Sequence, residues 1–468
     1  MFRHLESYIR LRPLVLNRTA QRSLNNVQLP FQDDLTAADS DDFGLSDFQH
    51  YQESPEIVAK RQELSGFNPT IEDATSNNIS KVQEEPISFE EQTKLKRPAI
   101  FVSKLSNPYT NLAIEDYVYN NMPIPTESGS NFNRLMFYTN SPCVVIGKNQ
   151  NPWKEVNIPL LNSLHIPLVR RKSGGGTVVH DMGNVNYSFM TTKAQFDRFQ
   201  FAELVVEAVN NCQESPHKIQ VNERGDIVTV TDGINYKISG SAYKLSKGKS
   251  YHHGTMLLNS RLDILGKLLS RDENAIGKVE SKASIASVKS KVTNLGLSQS
   301  KFIEVVSRGF TNSFGKNETI ETHEADEYDQ NELFGLTDFV EANTDRSASS
   351  FIIDETTELP DEIIKLSDEL REWSWRYGSS QSFSHEITNH KLGFTITFHV
   401  GKHGVVESFE LQFNDPQLLA QEKIEESFEF LQTFVEKGSV HYRGSDIAGF
   451  ITNDMISDWV GECIDNTV

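Results

Sequence analysis

Apolar positions along this chain take up a regular period only about a hundred residues in. AIFVSKL (Ala99–Leu105) reads as a strand, and Ala113, Ile114, Tyr117 and Val118 then recur at helical spacing. Short apolar runs follow as strands: LMFYTN, CVVIG, PLVRR, TVVH and NVNYSFM. Phe201, Leu204, Val205 and Val209 mark a helix, and further strands run through Ile227–Val230, Tyr236–Ser239 and Tyr251–Leu258. Helical segments are expected from there to Phe314. Many strands with intercalated helices, but no regular βαβ rhythm, predict an α+β domain over residues 98–316. Beyond it, Leu366, Leu370 and Trp373 predict a helix, FTITFHV alternates as a half-buried strand does, and Phe428, Leu431 and Val435 predict another helix. A small accessory domain is therefore expected over residues 363–468.

Two stretches lack this periodicity and hold the chain's acidity. Residues 31–92 carry 15 acids against 3 bases, and residues 317–362 carry 15 against 1. The formal charge of the whole chain is −20, so everything outside these stretches is net +6. Residues 27–97 are expected to form an acidic disordered extension, and 317–362 an acidic linker or insertion. The bulk charge makes no case for nucleic-acid binding, and leaves room for an anionic nucleotide to be held locally. Residues 1–26 differ again: Arg3, Arg10, Arg12, Arg18 and Arg22 face a single acid, Glu6, and Phe2, Leu5 and Ile9 can share a helical face. That is the pattern of a mitochondrial transit peptide, and it predicts a matrix protein. No apolar run reaches the about 18 residues of a spanning helix. Cys143, Cys212 and Cys463 lie far apart and form no CxxC pair, so neither a disulfide framework nor a structural zinc site is indicated.

Candidate chemistry concentrates in three blocks. In RRKSGGGTVVHDMGN (Arg170–Asn184) a strand ends in two arginines and three glycines follow. Glycine lets a ligand approach the main chain, successive N–H groups can cradle an anion, and the Arg171 fork suits a phosphate. A tight hairpin with exposed arginines is the alternative. In YKISGSAYKLS (Tyr236–Ser246), strand alternation puts Lys237 and Ser239 on one face beside Gly240. An ammonium there could neutralise charge on an acyl oxygen or phosphate; otherwise it is a surface lysine. In YHHGTMLLN (Tyr251–Asn259), His252 and His253 face opposite ways and do not suit one metal ion. Asp226 is a candidate for ribose or Mg2+, or a turn former.

RRKSGGGTVVHDMGN, KISGSAYK, HHGTMLLN and SVKSKVTNL, in this order, resemble the signature blocks of the lipoate-protein ligase A family, here in a mitochondrial, fungal-type form. CVVIGKNQNPWKEVN and WSWRYGSSQSFSH extend the resemblance on either side. It implies a mixed-sheet α+β catalytic fold shared with biotin protein ligases. It also implies ATP-dependent activation of lipoate or octanoate to an acyl-adenylate. The acyl group then passes to a lysine on apo lipoyl domains of 2-oxoacid dehydrogenase E2 subunits and the glycine-cleavage H protein. By motif position, Arg171, Gly176, Thr177, Val178, Val179, Lys237 and Asp226 should hold ATP, with Asp226 also a candidate ligand of Mg2+. Lys237 should be the catalytic residue and contact lipoate, while Ser173, His180 and Asn184 line the acyl pocket or order its loop. The enzyme is expected to be a monomer without nucleic-acid or membrane partners. Tyr138, Thr139, Lys148, Gly225 and Lys244 depart from the bacterial pattern, which bears on acyl specificity and use of ATP. Two alternatives stand beside the ligase: an ATP-independent transferase using octanoyl-CoA, acyl-adenylate or a lipoylated protein, and an inactive lipoyl-domain binding module.

Overall fold

The expected strands are present in the computed structural model, which describes residues 87–126, 131–315, 348–414 and 421–467. The transit segment, the acidic extension up to residue 86 and residues 316–347 lie outside the described residues. In chain order the strands are β1 (Ala99–Ser103), β2 (Arg134–Tyr138), β3 (Cys143–Ile146), β4 (Leu168–Arg170), β5 (Val178–His180) and β6 (Asn184–Thr192). Then come β7 (Gln220–Val221), β8 (Ile227–Thr231), β9 (Ile234–Ser239), β10 (Ser241–Ser246) and β11 (Lys249–Leu257). The last are β12 (Lys278–Glu280), β13 (Ser349–Ile353), β14 (Phe383–Asn389), β15 (Phe394–Val400) and β16 (Val406–Phe413).

A mixed six-stranded sheet in the order β10-β11-β6-β2-β1-β13 forms the frame, so the α+β expectation is met. Its β10, β11, β6 and β2 are antiparallel, whereas β1 lies parallel to both β2 and β13. Every residue of β6 is buried, as a central strand covered on both faces requires. The helix Pro108–Asn121 starts at Asn107, whose side chain accepts from Tyr109 N and Thr110 N, and it buries even Glu115 and Asp116. Two small three-stranded sheets, β4-β3-β5 and β7-β8-β9, carry the glycine-rich and lysine-bearing segments.

Three expectations need correction. The extension ends before residue 97. Ser88 and Glu91 form a capping box on the helix Phe89–Thr93, and Phe89 packs against Phe101 and Tyr117. Buried Arg134 holds the following turn by donating to the carbonyls of Thr93, Leu95 and Arg97. The expected linker 317–362 also ends early, because Ser349–Ile353 adds β13 to the main sheet and the helix Asp361–Arg371 begins inside it. Finally, helices do not fill the stretch to Phe314: after Leu262–Leu268 and Glu273–Ile276 come β12 and an irregular segment before the helix Gln299–Phe314.

The accessory lobe is a four-stranded antiparallel sheet, β12-β14-β15-β16, with the helices Gln421–Glu436 and Asp454–Asp465. In β15 the alternation of FTITFHV is realised as alternating burial. The lobe is not bounded at residue 363. It takes β12 from the region assigned to the catalytic domain, while β13, from the other side of the acidic segment, completes the catalytic sheet. One apolar core runs through both: Trp153 stacks on Phe383 at 5.0 Å and meets Tyr442 edge-on at 5.2 Å.

Candidate active site

Between β4 and β5 the glycine-rich segment folds back over β3. Gly147 and Gly175 touch there: a Cβ on Gly147 would lie 2.1 Å from the Gly175 carbonyl oxygen. Gly175 itself has φ +89°, where a side chain is strained. Gln150 pins the segment by accepting from Gly147 N at 2.8 Å and Thr177 Oγ1 at 3.0 Å. Ser287 Oγ accepts from Thr177 N at 3.0 Å. The N–H groups of Gly174, Gly175 and Gly176 make no hydrogen bond among the described residues and remain available to an anion.

Arg171 departs from expectation. Its guanidinium does not present a fork to a ligand but is spent on the loop: Nη2 donates to the carbonyls of Gly174 (2.6 Å) and Gly176 (2.7 Å), Nη1 to Val145 O, and Nε to Gly174 O and Ser173 Oγ. Burial lowers its pKa to about 10, so it is still cationic at neutral pH. It therefore braces the loop and leaves its positive field beneath it.

That buried charge is connected to a carboxylate through Ser173 and His253. His253 Nε2 lies 2.8 Å from Ser173 Oγ, and its Nδ1 lies 3.1 Å from Glu115 Oε1. Ser173 Oγ accepts from Arg171 Nε, so Arg171, Ser173, His253 and Glu115 form one hydrogen-bonded chain. Glu115 and Ser173 are nearly inaccessible, so the relay holds the loop on the helix Pro108–Asn121.

Above the loop lies a cavity of about 320 Å3, at the lower end of the range of ligand pockets. Leu112, Tyr138 and Val145 line it together with polar His180 and Asn186, while Arg198, Arg224, Asp226 and Lys237 add charged groups. Lys237 Nζ sits 2.9 Å from Asp226 Oδ1. The backbone of Lys237 is stitched to the SVKSKVTNL block, donating to Lys291 O at 2.8 Å and accepting from Thr293 N at 3.0 Å. That pairing gives the block a structural reason. His180 Nδ1 faces the Asn140 amide at 3.0 Å; burial, then Arg171, lowers its pKa to about 3, so it is neutral. A larger groove of about 890 Å3, between β1, β13 and the helix Gln299–Phe314, shares Tyr138 but lacks the glycine loop and Lys237.

Of the residues expected at the site, Arg171, Gly176, Thr177, Val178, His180, Asp226 and Lys237 line the cavity. Val179 does not: it faces the apolar core shared with the accessory lobe. Ser173 lies behind the loop, and fully buried Asn184 donates to Asn186, which lines the cavity instead. Ser239 is also withdrawn, its hydroxyl 3.0 Å from that of Tyr187; Ser241 and Thr255 supply hydroxyls to the wall. Asp226 is the one carboxylate on that wall, and no cluster of three metal-ligating side chains occurs among the described residues. Glu115, Gln150, Arg198, Arg224 and Ser287 were missed. For Glu115, Gln150, Arg198 and Ser287 the signal is tertiary, since each has a partner 26 or more residues away in sequence.

Residues 107–311 match the family described as the lipoyl protein ligase A/B catalytic domain. A Saccharomyces cerevisiae protein provisionally named lipoate-protein ligase A is 34% identical over 362 residues, 77% of this chain and 78% of its own length. A similarly named Schizosaccharomyces pombe protein is 34% identical over 67% of this chain and 79% of its length. Among solved structures, Plasmodium falciparum LipL1 in complex with lipoate is 24% identical, covers 79% of this chain and 100% of its own, and has a TM-score of 0.45. A lipoate-protein ligase A bound with ATP is 21% identical over 60% of this chain and 95% of its own, at a TM-score of 0.36. The matched residues contain the glycine loop, Asp226, Lys237 and His253, and the chain belongs to the lipoate-protein ligase A family.

Proposed function

We propose that the protein activates lipoate, or octanoate, with ATP and transfers the acyl group to a lysine of an apo lipoyl domain. The observation that carries this reading is Lys237, a cation on the wall of a cavity floored by the free N–H groups of the glycine loop. In the first step a carboxylate oxygen bonds to the α-phosphorus and pyrophosphate leaves. In the second the acceptor amine attacks the acyl carbonyl, AMP leaves and the amine loses a proton. The loop N–H groups and the buried Arg171 charge face the α-phosphate, and Lys237 moves from Asp226 to the oxygen where charge builds. Leu112, Tyr138 and Val145 give the acyl chain an apolar wall. Mg2+ fits as an ion held by the nucleotide's phosphates and waters, with Asp226 as its protein carboxylate.

None of the three cysteines lines the cavity, and burial pushes the Cys143 thiol up, which disfavours a cysteine acyl-enzyme. E2 subunits and the glycine-cleavage H protein are the proposed acceptors, and the mitochondrial matrix the proposed location of a monomeric enzyme. The N-terminal arginine pattern supports that location. The test is purified protein with lipoate and Mg-ATP, without acceptor. Pyrophosphate release, followed by acyl transfer once apo lipoyl domain is added, is expected. Modification supported only by octanoyl-CoA or preformed adenylate would overturn the ligase reading and favour the transferase.

A further inference from the structure

Two arginines line this cavity that the proposed chemistry does not use. Arg198 precedes the helix Gln200–Asn210, and Arg224 lies in the turn from Asn222 to Asp226. They are held together: the Arg198 guanidinium donates to the Arg224 carbonyl, and Tyr243 donates to the Arg198 carbonyl at 3.3 Å. The same guanidinium carbon lies 5.9 Å from the ring centre of Tyr243 and 5.6 Å from that of Phe199. Gly225 makes this possible. It has φ +81°, and a Cβ there would stand 3.0 Å from the Tyr243 hydroxyl oxygen and 3.4 Å from Arg198 Nε.

Arg198 is exposed, and its guanidinium rests against the Arg224 carbonyl between the Tyr243 and Phe199 rings. Neither arginine forms an ion pair among the described residues, and Asp226 is occupied by Lys237 at 2.9 Å. The wall thus carries two unneutralised guanidinium groups beside a neutralised pair, with the Arg171 charge under the loop. Two guanidinium groups on one cavity wall match a diphosphate better than a single phosphate.

We propose that Arg198 and Arg224 form a clamp for a diphosphate lying outboard of the α-phosphate position. Resting on the acyl-transfer reading above, the clamp takes the β,γ-diphosphate of ATP. When the carboxylate oxygen bonds to the α-phosphorus and the bond to the bridging oxygen breaks, the electron pair departs with pyrophosphate, and the clamp receives the added charge. The same chemistry could hold the phosphates of a CoA, so the test separates the two sources.

Arg198→Gln and Arg224→Gln are made singly in the full chain, and folding is checked by thermal melting. Binding of pyrophosphate, AMP and 3′-phosphoadenosine 5′-phosphate is measured by titration calorimetry, which requires no turnover. Pyrophosphate affinity and KM for ATP should weaken about 10–100-fold, the scale of one lost charge-assisted bond. AMP affinity and acyl transfer from synthetic lipoyl-adenylate should stay within about twofold, because neither carries an outboard diphosphate. Selective loss of 3′-phosphoadenosine 5′-phosphate binding, with pyrophosphate unaffected, would assign the clamp to CoA and overturn its assignment to ATP. Equal losses for AMP and lipoyl-adenylate would reduce the arginines to loop supports, and unchanged binding of all three anions would remove the clamp. If wild-type protein binds pyrophosphate through these arginines yet releases none from ATP, the clamp stands and the ligase reading fails.

Discussion

Replacing Lys237 by alanine should abolish most turnover while leaving the fold intact. The lysine side chain is 25% exposed and its partner Asp226 11%, so their ion pair sits at a partly solvated wall and contributes about 0–1 kcal/mol to stability. No apolar volume is lost from a core. The transition state is a different matter. A donor aimed at developing charge contributes about 2.7–4 kcal/mol, or roughly 10²–10³ in rate. Lys237→Ala also leaves Asp226 unpaired on the cavity wall, where it repels the anionic nucleotide, so KM for ATP should rise as kcat falls. Adding Asp226→Ala separates the two effects: the double variant should recover KM but not kcat. Lys237→Arg should fail as well. A planar, delocalised fork does not place a compact ammonium charge where Lys237 Nζ does. The assay is single-turnover acyl transfer to apo lipoyl domain at saturating and limiting ATP, with circular dichroism as the folding control. A folded Lys237→Ala variant with near wild-type kcat would refute the role assigned to this lysine.

Three further outcomes follow from the site and the core. Gly147→Ala should inactivate the enzyme, since its Cβ would lie 2.1 Å from Gly175 O, whereas Gly174→Ala meets nothing within 4 Å and should be tolerated; equal activities would contradict the loop packing. Glu115→Gln should cost about 1.5–3 kcal/mol in urea unfolding, because it breaks the charge-assisted end of the relay that balances Arg171, and an unchanged midpoint would exclude that relay. Acid should destabilise the fold: burial holds His180, His252 and His385 near pKa 3, so the unfolded chain binds more protons below about pH 6.5, and stability is lost as pH falls. Each contributes about 1.4 kcal/mol per pH unit in that window, while Glu462, raised by burial to about 7, works in the opposite sense and cancels about one histidine between pH 4.5 and 6.5. Urea midpoints that do not fall from pH 6.5 to 5 would contradict this.

Much of the frame was legible because its strands are short, apolar and separated by clear breaks. Strands β1, β2, β6 and β11 each overlap a run that reads as a strand, with ends displaced by one or two residues in the last three. Local pattern also found the glycine loop and Lys237. It could not find that Arg171 turns inward, because that depends on carbonyls of Val145, Gly174 and Gly176 converging in space. By motif position Asn184 and Ser173 line the acyl pocket or order its loop; which of the two is a tertiary matter, and Asn184 props Asn186 while Ser173 closes the relay behind the loop. Strand β13 was hidden for another reason. SSFII follows an acidic stretch and borrows its stability from β1, so its composition misled where its pairing decides.

The pairing of β1 with β13 has a cost during biosynthesis. A ribosome finishes β1, β2 and β6 long before it adds Ser349, and β1 then stands at the edge of the growing sheet. At about 5–20 residues per second the interval lasts roughly ten to fifty seconds. Through it an apolar strand shows unpaired N–H and C=O groups to any neighbouring nascent chain. A chaperone that shields this edge should therefore raise the yield of soluble protein. A message truncated before codon 349 would make a polypeptide whose exposed edge never closes, a substrate for quality control rather than a smaller enzyme.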